Sequence, residues 1–314
     1  MTRTVGVFLS PVLDLRFHYG DAFARLAPQL DLKLPHEVDD PDAVRFAIAW
    51  VPSADAFAPY RNLGFVSSMA AGVDAILACP SLPDVPVIRV RDPQQAQIMA
   101  GYVVSAVLWW ERLFPEHLAN QKDRIWHRFS IRQPSSATIG IIGYGLMGQA
   151  TALTLRTLGF NVVAQVRSTP ERMIEGVRLE TGPDALKRVA AQSDYLVNLL
   201  PLTAETKGIF SADVLAAMPR GSVFINAARG GQLDEAALMA AMDSGHIRGA
   251  ALDVFAEEPL PRDHPFWSNP NILLTSHDAA EASKEALVST VARQVARLLA
   301  GLPIEAPVSR ERGY

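Results

Sequence analysis

The chain is short of cysteine, of net charge and of long apolar runs, and each shortage excludes something. Cys79 is the single cysteine among 314 residues, so no intrachain disulfide can form, which suits a reducing compartment. Its setting, Leu77-Ala78-Cys79-Pro80, reads as small-residue packing, not as a nucleophile. The 29 basic and 33 acidic residues leave a formal charge of −4, which argues against nucleic acid or an anionic membrane as partner. The longest uncharged apolar stretch, Ile98 to Trp110, falls short of the roughly 20 residues that span a bilayer. Met1 to Ser10 lacks the charged start, apolar run and cleavage site of a signal peptide. A cytoplasmic protein is the expectation. An apolar content of 49% with 20% charge rules out disorder as the main theme. At roughly 150 residues per domain, the length implies two domains.

No fixed-period repeat or low-complexity segment is present. Short apolar, β-branched runs alternate with helical patterns. The strands expected are Val5–Leu9, Phe46–Ala49, Phe65–Ser67, Val87–Val90, Thr138–Ile142, Asn161–Val166, Tyr195–Leu199, Ser222–Asn226, Ala250–Val254 and Ile272–Thr275. This rhythm predicts parallel sheet covered on both faces. A helix from Gln94 to about Leu113 is apolar nearly all round and is expected to be buried on every side, at a domain junction or in a subunit interface. Pro115 is expected to end it. Asn120 to Ser136 is polar and basic, with Trp126 and Phe129 interspersed, and reads as an arm over another surface. A last helix is expected from about Ala280 to Ala300, stopped by Gly301 and Pro303.

The strongest local signal is Thr138-Ile-Gly-Ile-Ile-Gly143-Tyr-Gly145-Leu-Met-Gly148. It follows a strand and opens a helix-compatible run, Gln149 to Leu158, and that context makes it a dinucleotide fingerprint. Gly143 permits the tight turn, Gly145 lets backbone approach a pyrophosphate, and Gly148 lets helix and strand pack closely. The helix N-terminus offers unpaired N–H groups to phosphates. An NAD-specific fingerprint places Asp or Glu about 20 residues on. Here the first acidic residue after Gly148 is Glu171, and the second strand runs out into Arg167-Ser168-Thr169. An arginine with two hydroxyls suits a 2′-phosphate, and with no carboxylate in place nothing repels it. NADP(H) is therefore the preferred cofactor, with NAD(H) tolerated as the other reading. No metal is expected.

Three strand ends carry groups fit for acid–base work. Ser222–Asn226 leads to Arg229, Ala250–Val254 leads to Glu258, and Ile272–Thr275 leads to His277. In open α/β sheets ligands sit at such carboxyl ends. A 2-oxo acid needs a forked cation for its carboxylate, which arginine provides. It also needs a proton donor working near neutral pH, which histidine provides. A carboxylate beside the histidine favours its charged form and fixes its orientation.

With these motifs the sequence resembles the D-isomer-specific 2-hydroxyacid dehydrogenases, and within them the glyoxylate/hydroxypyruvate reductase A type, over nearly the whole chain. The matching stretches are Ala71-Gly72-Val73-Asp74, Gly143 to Gly148, Leu200-Pro201-Leu202-Thr203 with Thr206, Asn226 to Gly231, Leu252 to Pro259, and Thr275-Ser276-His277. The resemblance implies an α/β fold of two doubly wound parallel-sheet domains. A Rossmann cofactor domain, residues 94–281, would be inserted into a flavodoxin-like substrate domain, residues 1–93 plus 282–314. It implies that Arg229 holds the substrate carboxylate, that His277 is the general acid in reduction, and that Glu258 is its partner. Backbone N–H groups around Ala71 and Gly72 would also grip the carboxylate. Leu146 and Met147 would meet the pyrophosphate, and Arg167 and Ser168 the 2′-phosphate. Leu200, Pro201 and Thr206 would line the cofactor, and Ala227 and Asp253 would meet its carboxamide end. A homodimer joined through cofactor domains is implied as well.

The chain departs from that pattern in two places. Ser276 stands where the family usually has proline, and Asp278 follows the histidine where a small or apolar residue is common. Trp50 matches a tryptophan of the reductase A type and reads either as a wall of the substrate pocket or as core packing. Arg91 reads either as surface or as a second cation near the substrate. The function implied is NADPH-preferring reduction of glyoxylate or hydroxypyruvate to D-2-hydroxy acids. The rivals are a reductase of bulkier 2-oxo acids, such as phenylpyruvate, and a non-catalytic dinucleotide sensor on the same fold.

Overall fold

The structure, a computed structural model, describes residues 3–168 and 173–314. The chain divides into two compact units: Met1–Gln94 with Glu281–Tyr314, and Gln95–Ala280. Thr169 and Glu171, which figure in the cofactor argument above, lie outside the described residues.

In chain order the first unit contributes β1 (Thr4–Leu9), α1 (Leu15–Leu26), β2 (Leu30–Lys33), β3 (Val44–Ala49), β4 (Phe65–Ser68), α2 (Asp74–Leu77) and β5 (Val87–Ile88). Across the boundary and into the second unit follow α3 (Pro93–Glu111), α4 (Phe114–Lys122), β6 (Thr138–Ile142), α5 (Leu146–Thr157), β7 (Asn161–Gln165), β8 (Val177–Glu180), α6 (Ala185–Ala190), β9 (Tyr195–Asn198), α7 (Ala212–Ala217), β10 (Ser222–Asn226), α8 (Glu235–Asp243), β11 (Ile247–Leu252) and β12 (Ile272–Leu274). The chain then returns to the first unit as α9 (Lys284–Leu299).

The first unit holds five strands among the described residues, ordered β2-β1-β3-β4-β5, all parallel. This is the flavodoxin-like order. Side chains alternate between the faces, as a period of two requires. Phe8, Phe46, Ile48 and Phe65 pack with α1 and α9. Val7, Ala47, Ala49 and Val66 face Phe57 and Tyr60 on the other side. Asp92 ties the two chain segments of this unit together. Its Oδ2 accepts from the N–H of Ser283 at 2.9 Å and the hydroxyl at 2.8 Å. Ser283 in turn caps α9 through Ala286 N.

The second unit has seven parallel strands among the described residues, ordered β12-β11-β10-β9-β6-β7-β8. The order reverses between β6 and β9, which makes the carboxyl ends of those strands the expected ligand crevice. One face, with Ile139, Ile141, Val197 and Ile225, packs α3 and α5. The other, with Ile142, Leu196 and Phe224, packs Val214 and Leu238.

Several details correct the sequence reading. β2 and β8 are two strands it did not anticipate. β11 starts at Ile247 and ends at Leu252, so Asp253 is the first residue beyond it. The α3 helix is not buried on every side, because Ile98, Gly101 and Ser105 line an exposed stripe. Pro115 does not end it. The helix stops at Glu111, Leu113 takes a left-handed conformation, and Pro115 sits in the first turn of α4, where its missing N–H costs nothing. Among the described residues no helix is long and apolar enough to cross a membrane.

Candidate active site

The glycine loop connects β6 to α5 and uses each glycine differently. Gly143 has φ +102°, and a Cβ there would lie 2.6 Å from the Leu199 carbonyl, so only glycine fits. A Cβ at Gly148 would collide with the Gly143 carbonyl oxygen. Gly145, the residue before α5, has open space where its side chain would be. No protein packing therefore demands glycine at position 145. The room it leaves lies beside the first turn of α5, where the N–H groups of Leu146 and Met147 have no helical acceptor. That combination fits a pyrophosphate.

Arg167 and Ser168 follow β7 and are exposed. Contrary to the expectation of a carboxylate-free setting, Glu205 reaches Arg167 at 3.1 Å. That carboxylate comes from a loop 38 residues further on, where inspection of the second strand does not find it. The same loop carries Leu200, Pro201 and Thr206. The Thr206 hydroxyl donates to the Pro201 carbonyl at 2.7 Å, and the Thr203 N–H donates to that hydroxyl at 2.8 Å. Thr206 is thus a brace of the loop.

At the ends of β9 and β10 lies a buried amide cluster that the sequence reading missed. Asn198 Nδ2 donates to Asn226 Oδ1 at 2.9 Å and to Gln232 Oε1 at 2.8 Å. Asn226 donates to the Arg229 carbonyl at 3.2 Å, and the Arg229 N–H donates to Gln232. Every polar atom here is bonded, which fixes the backbone that presents Arg229. The available signal was a polar residue closing an otherwise apolar strand. Ala227, beside this cluster, is buried.

The Arg229 loop meets the turn after β11 closely. A side chain on Gly230 would collide with the Phe255 carbonyl. In that turn Glu258 Oε1 accepts from the Phe255 N–H at 3.0 Å, and Glu258 Oε2 lies 2.7 Å from His277 Nδ1. Burial raises the Glu258 carboxyl. The His277 hydrogen bond, the Phe255 N–H and the positive charges of His277 and Arg229 outweigh it, and the carboxyl sits below its usual range. Arg229, Glu258 and His277 are therefore one electrostatic cluster. With Glu258 ionised, the 2.7 Å contact is a hydrogen bond donated by His277 Nδ1.

His277 has φ +57°, a strained value for a side-chain-bearing residue. Asp253 enforces it. The Asp253 carbonyl accepts from the His277 N–H at 2.7 Å. Asp253 Oδ1 accepts from Asp278 N at 3.0 Å and Thr275 Oγ1 at 2.6 Å, and Oδ2 from Ala279 N at 3.1 Å. The Tyr102 hydroxyl donates to Thr275 Oγ1 at 3.0 Å. A carboxylate has about four acceptor positions; three are used within the fold.

The other expected substrate residues lie in the first unit. Trp50 follows β3 and is half-buried. After β4 the Ser68 hydroxyl donates to the Gly72 carbonyl at 2.6 Å and accepts from Ala70 N at 3.1 Å. That turn leaves the N–H groups of Ala71 and Gly72 without an acceptor among the described residues.

Comparison with known proteins places this geometry in a family. Residues 104–279 match the model for the NAD binding domain of D-isomer specific 2-hydroxyacid dehydrogenases. A glyoxylate/hydroxypyruvate reductase A of Salmonella heidelberg (strain SL476) is 35% identical over 297 residues, 91% of this chain and 94% of that protein. Among solved structures, a D-isomer specific 2-hydroxyacid dehydrogenase from Xanthobacter autotrophicus Py2, in complex with NADPH and MES, is 39% identical with a TM-score of 0.92 over all of both chains. An NADPH-dependent glyoxylate/hydroxypyruvate reductase from Sinorhizobium meliloti, in complex with NADP and sulfate, is 35% identical with a TM-score of 0.92 over 99% of this chain and 100% of its own. The fold and the glycine loop define a dinucleotide-dependent oxidoreductase. The chain belongs to the D-isomer-specific 2-hydroxyacid dehydrogenase family.

Proposed function

We propose that the protein is an NADPH-preferring 2-oxoacid reductase that converts glyoxylate and hydroxypyruvate to D-2-hydroxy acids. The observation that carries this reading is the His277–Glu258 pair at 2.7 Å, with the Arg229 charge acting on the same carboxylate. A non-catalytic sensor has no need of that cluster. The curated Salmonella relative and the Sinorhizobium structure, both glyoxylate/hydroxypyruvate reductases, support the substrate class.

Residues 94–281 form the cofactor domain in this reading, and residues 1–93 with 282–314 the substrate domain. Leu146, Met147 and the three loop glycines hold the pyrophosphate. Arg167 and Ser168 hold the 2′-phosphate, and the NADPH and NADP in the two related structures support that choice. Leu200, Pro201, Thr206 and Ala227 line the cofactor, and Asp253 meets its carboxamide. Bound nicotinamide supplies the hydride in reduction. Arg229 holds the substrate carboxylate with its guanidinium fork; Trp50 and the N–H groups of Ala71 and Gly72 are the substrate-binding groups proposed for the first unit. Glu258 stays anionic and orients His277 through the Nδ1 hydrogen bond. His277 then gives the Nε2 proton to the carbonyl oxygen, and recovers it in the oxidative direction. The exposed stripe of α3 and the arm bearing Trp126, 96% exposed, are the proposed homodimer surface.

The test is direct. Purified protein with NADPH is offered glyoxylate, hydroxypyruvate and phenylpyruvate, and loss of the reduced nicotinamide absorbance is followed. The reading expects kcat/KM for the two small acids to exceed that for phenylpyruvate at least tenfold. A reversed order favours the bulky-substrate rival, and NADPH binding without turnover of any 2-oxo acid favours the sensor.

A further inference from the structure

The first unit contains a cavity of about 100 Å³ beside α9, lined by Arg89, Arg91, Thr290, Arg293 and Glu305 among others. The reductase chemistry uses none of them. Arg89 directly follows β5, and Arg91 is two residues on. Arg89 is half-buried and Arg91 exposed. Among the described residues, neither guanidinium makes a hydrogen bond or an ion pair.

A guanidinium carries five N–H donors, accepts nothing and keeps its charge. Holding one half-buried without an acceptor costs desolvation that no bond returns. Burial first, and then the like charge of Arg91, push the Arg89 guanidinium below its ordinary range, with Tyr314 opposing them. The chain therefore maintains two neighbouring cations under mutual repulsion, an arrangement that an anion relieves.

The opposite wall adds more positive charge. Glu305 is the carboxylate in the lining, and it is already engaged by Arg293 at 3.4 Å and by Arg297 at 2.9 Å. Its backbone N–H is pinned to Gln294 Oε1 at 2.9 Å, so the pair is held against α9. Three arginines (89, 91 and 293) against one glutamate give the lining 3 − 1 = +2, in a chain whose total is −4. Guanidinium forks match tetrahedral oxoanions bidentately, and a surplus of this size suits a dianion better than a monocarboxylate.

We propose that this cavity binds a phosphate-class dianion, held by the forks of Arg89 and Arg91 with Arg293 behind them. The ligand is inorganic phosphate or the phosphate of a small monoester. The assignment stands on residues of the first unit alone and does not depend on the reductase reading.

Isothermal titration of the full chain tests it. Inorganic phosphate and glycerol 3-phosphate are the two probes. Saturating NADPH occupies the cofactor's own phosphate contacts, and chloride holds the ionic strength constant. The expected result is saturable binding at one site, weakened at least tenfold in Arg89→Gln and in Arg91→Gln, with melting temperature and NADPH affinity kept. An ester bound tenfold more tightly than phosphate marks the monoester as the ligand, and equal affinities mark free phosphate. Absence of saturable binding by either probe overturns the proposal, as does binding unchanged in the variants. Should Arg89→Gln fail to fold, Arg91→Gln, which alters an exposed side chain, decides alone.

Discussion

His277 Nδ1 lies 2.7 Å from Glu258 Oε2, and the strained backbone of His277 is held by a different carboxylate, Asp253, through a 2.7 Å bond from its N–H. One acid orients the ring and the other sets where the ring stands. The two roles are separable by substitution.

Glu258→Gln removes the charge that faces His277 Nδ1. In the proposed reaction kcat for reduction is expected to fall at least tenfold. The sign for stability follows from the depressed Glu258 carboxyl. Its contribution is complete above the unfolded carboxyl range and is lost as pH falls through the lower, folded value. Acid unfolding of the variant should accordingly be less steep at that end. An unchanged kcat contradicts the pairing.

Asp253→Asn removes the placement. An amide NH₂ in the place of Oδ2 faces the buried N–H of Ala279 and leaves that donor unpaired, at about 1–3 kcal/mol. Urea unfolding should show that loss, and kcat should fall at least tenfold. Tyr102→Phe, which removes only the outer hydroxyl of the chain through Thr275, should cost about 0.5–1.5 kcal/mol and leave most of kcat.

Much of this was legible in the residues, and what was missed has a physical cause. The glycine loop reads directly because strand, turn and helix are contiguous. The strands β2, Leu-Asp-Leu-Lys, and β8, Val-Arg-Leu-Glu, are short edge strands whose charges blur the apolar signal used for the central ones. Arg229, Glu258 and His277 were placed by strand ends. The Asp253 clamp was not, because Asp253 meets Thr275, Asp278 and Ala279 across more than 20 residues of chain. The Glu205 contact with Arg167 is hidden for the same reason.

Gly145→Ala and Gly148→Ala should part company. Alanine at 145 enters open space, so the fold should survive while cofactor affinity drops, if that space is where backbone and pyrophosphate meet. Alanine at 148 strikes the Gly143 carbonyl and should lower the melting temperature by several degrees, as overpacking costs about 1–3 kcal/mol. Thermal melts and cofactor titration of both variants separate the cases.

Arg167→Ala should weaken NADPH about 10–100-fold, the range of a charge-assisted hydrogen bond, and NADH less than threefold. Glu205→Gln, which frees the guanidinium from a competing exposed carboxylate, should tighten NADPH modestly and leave NADH unchanged. Equal losses for both cofactors in Arg167→Ala contradict the 2′-phosphate assignment.

The central claim is that His277 delivers the proton in 2-oxoacid reduction, and glyoxylate-dependent NADPH oxidation by wild type and His277→Asn tests it most directly. Turnover by wild type, a loss of at least 10³-fold in kcat for the variant, and NADPH affinity within threefold are expected, a loss in the range of positioned acid–base catalysis, roughly 10²–10⁴-fold. Near-normal turnover by His277→Asn, or none by wild type with any 2-oxo acid, would contradict the account.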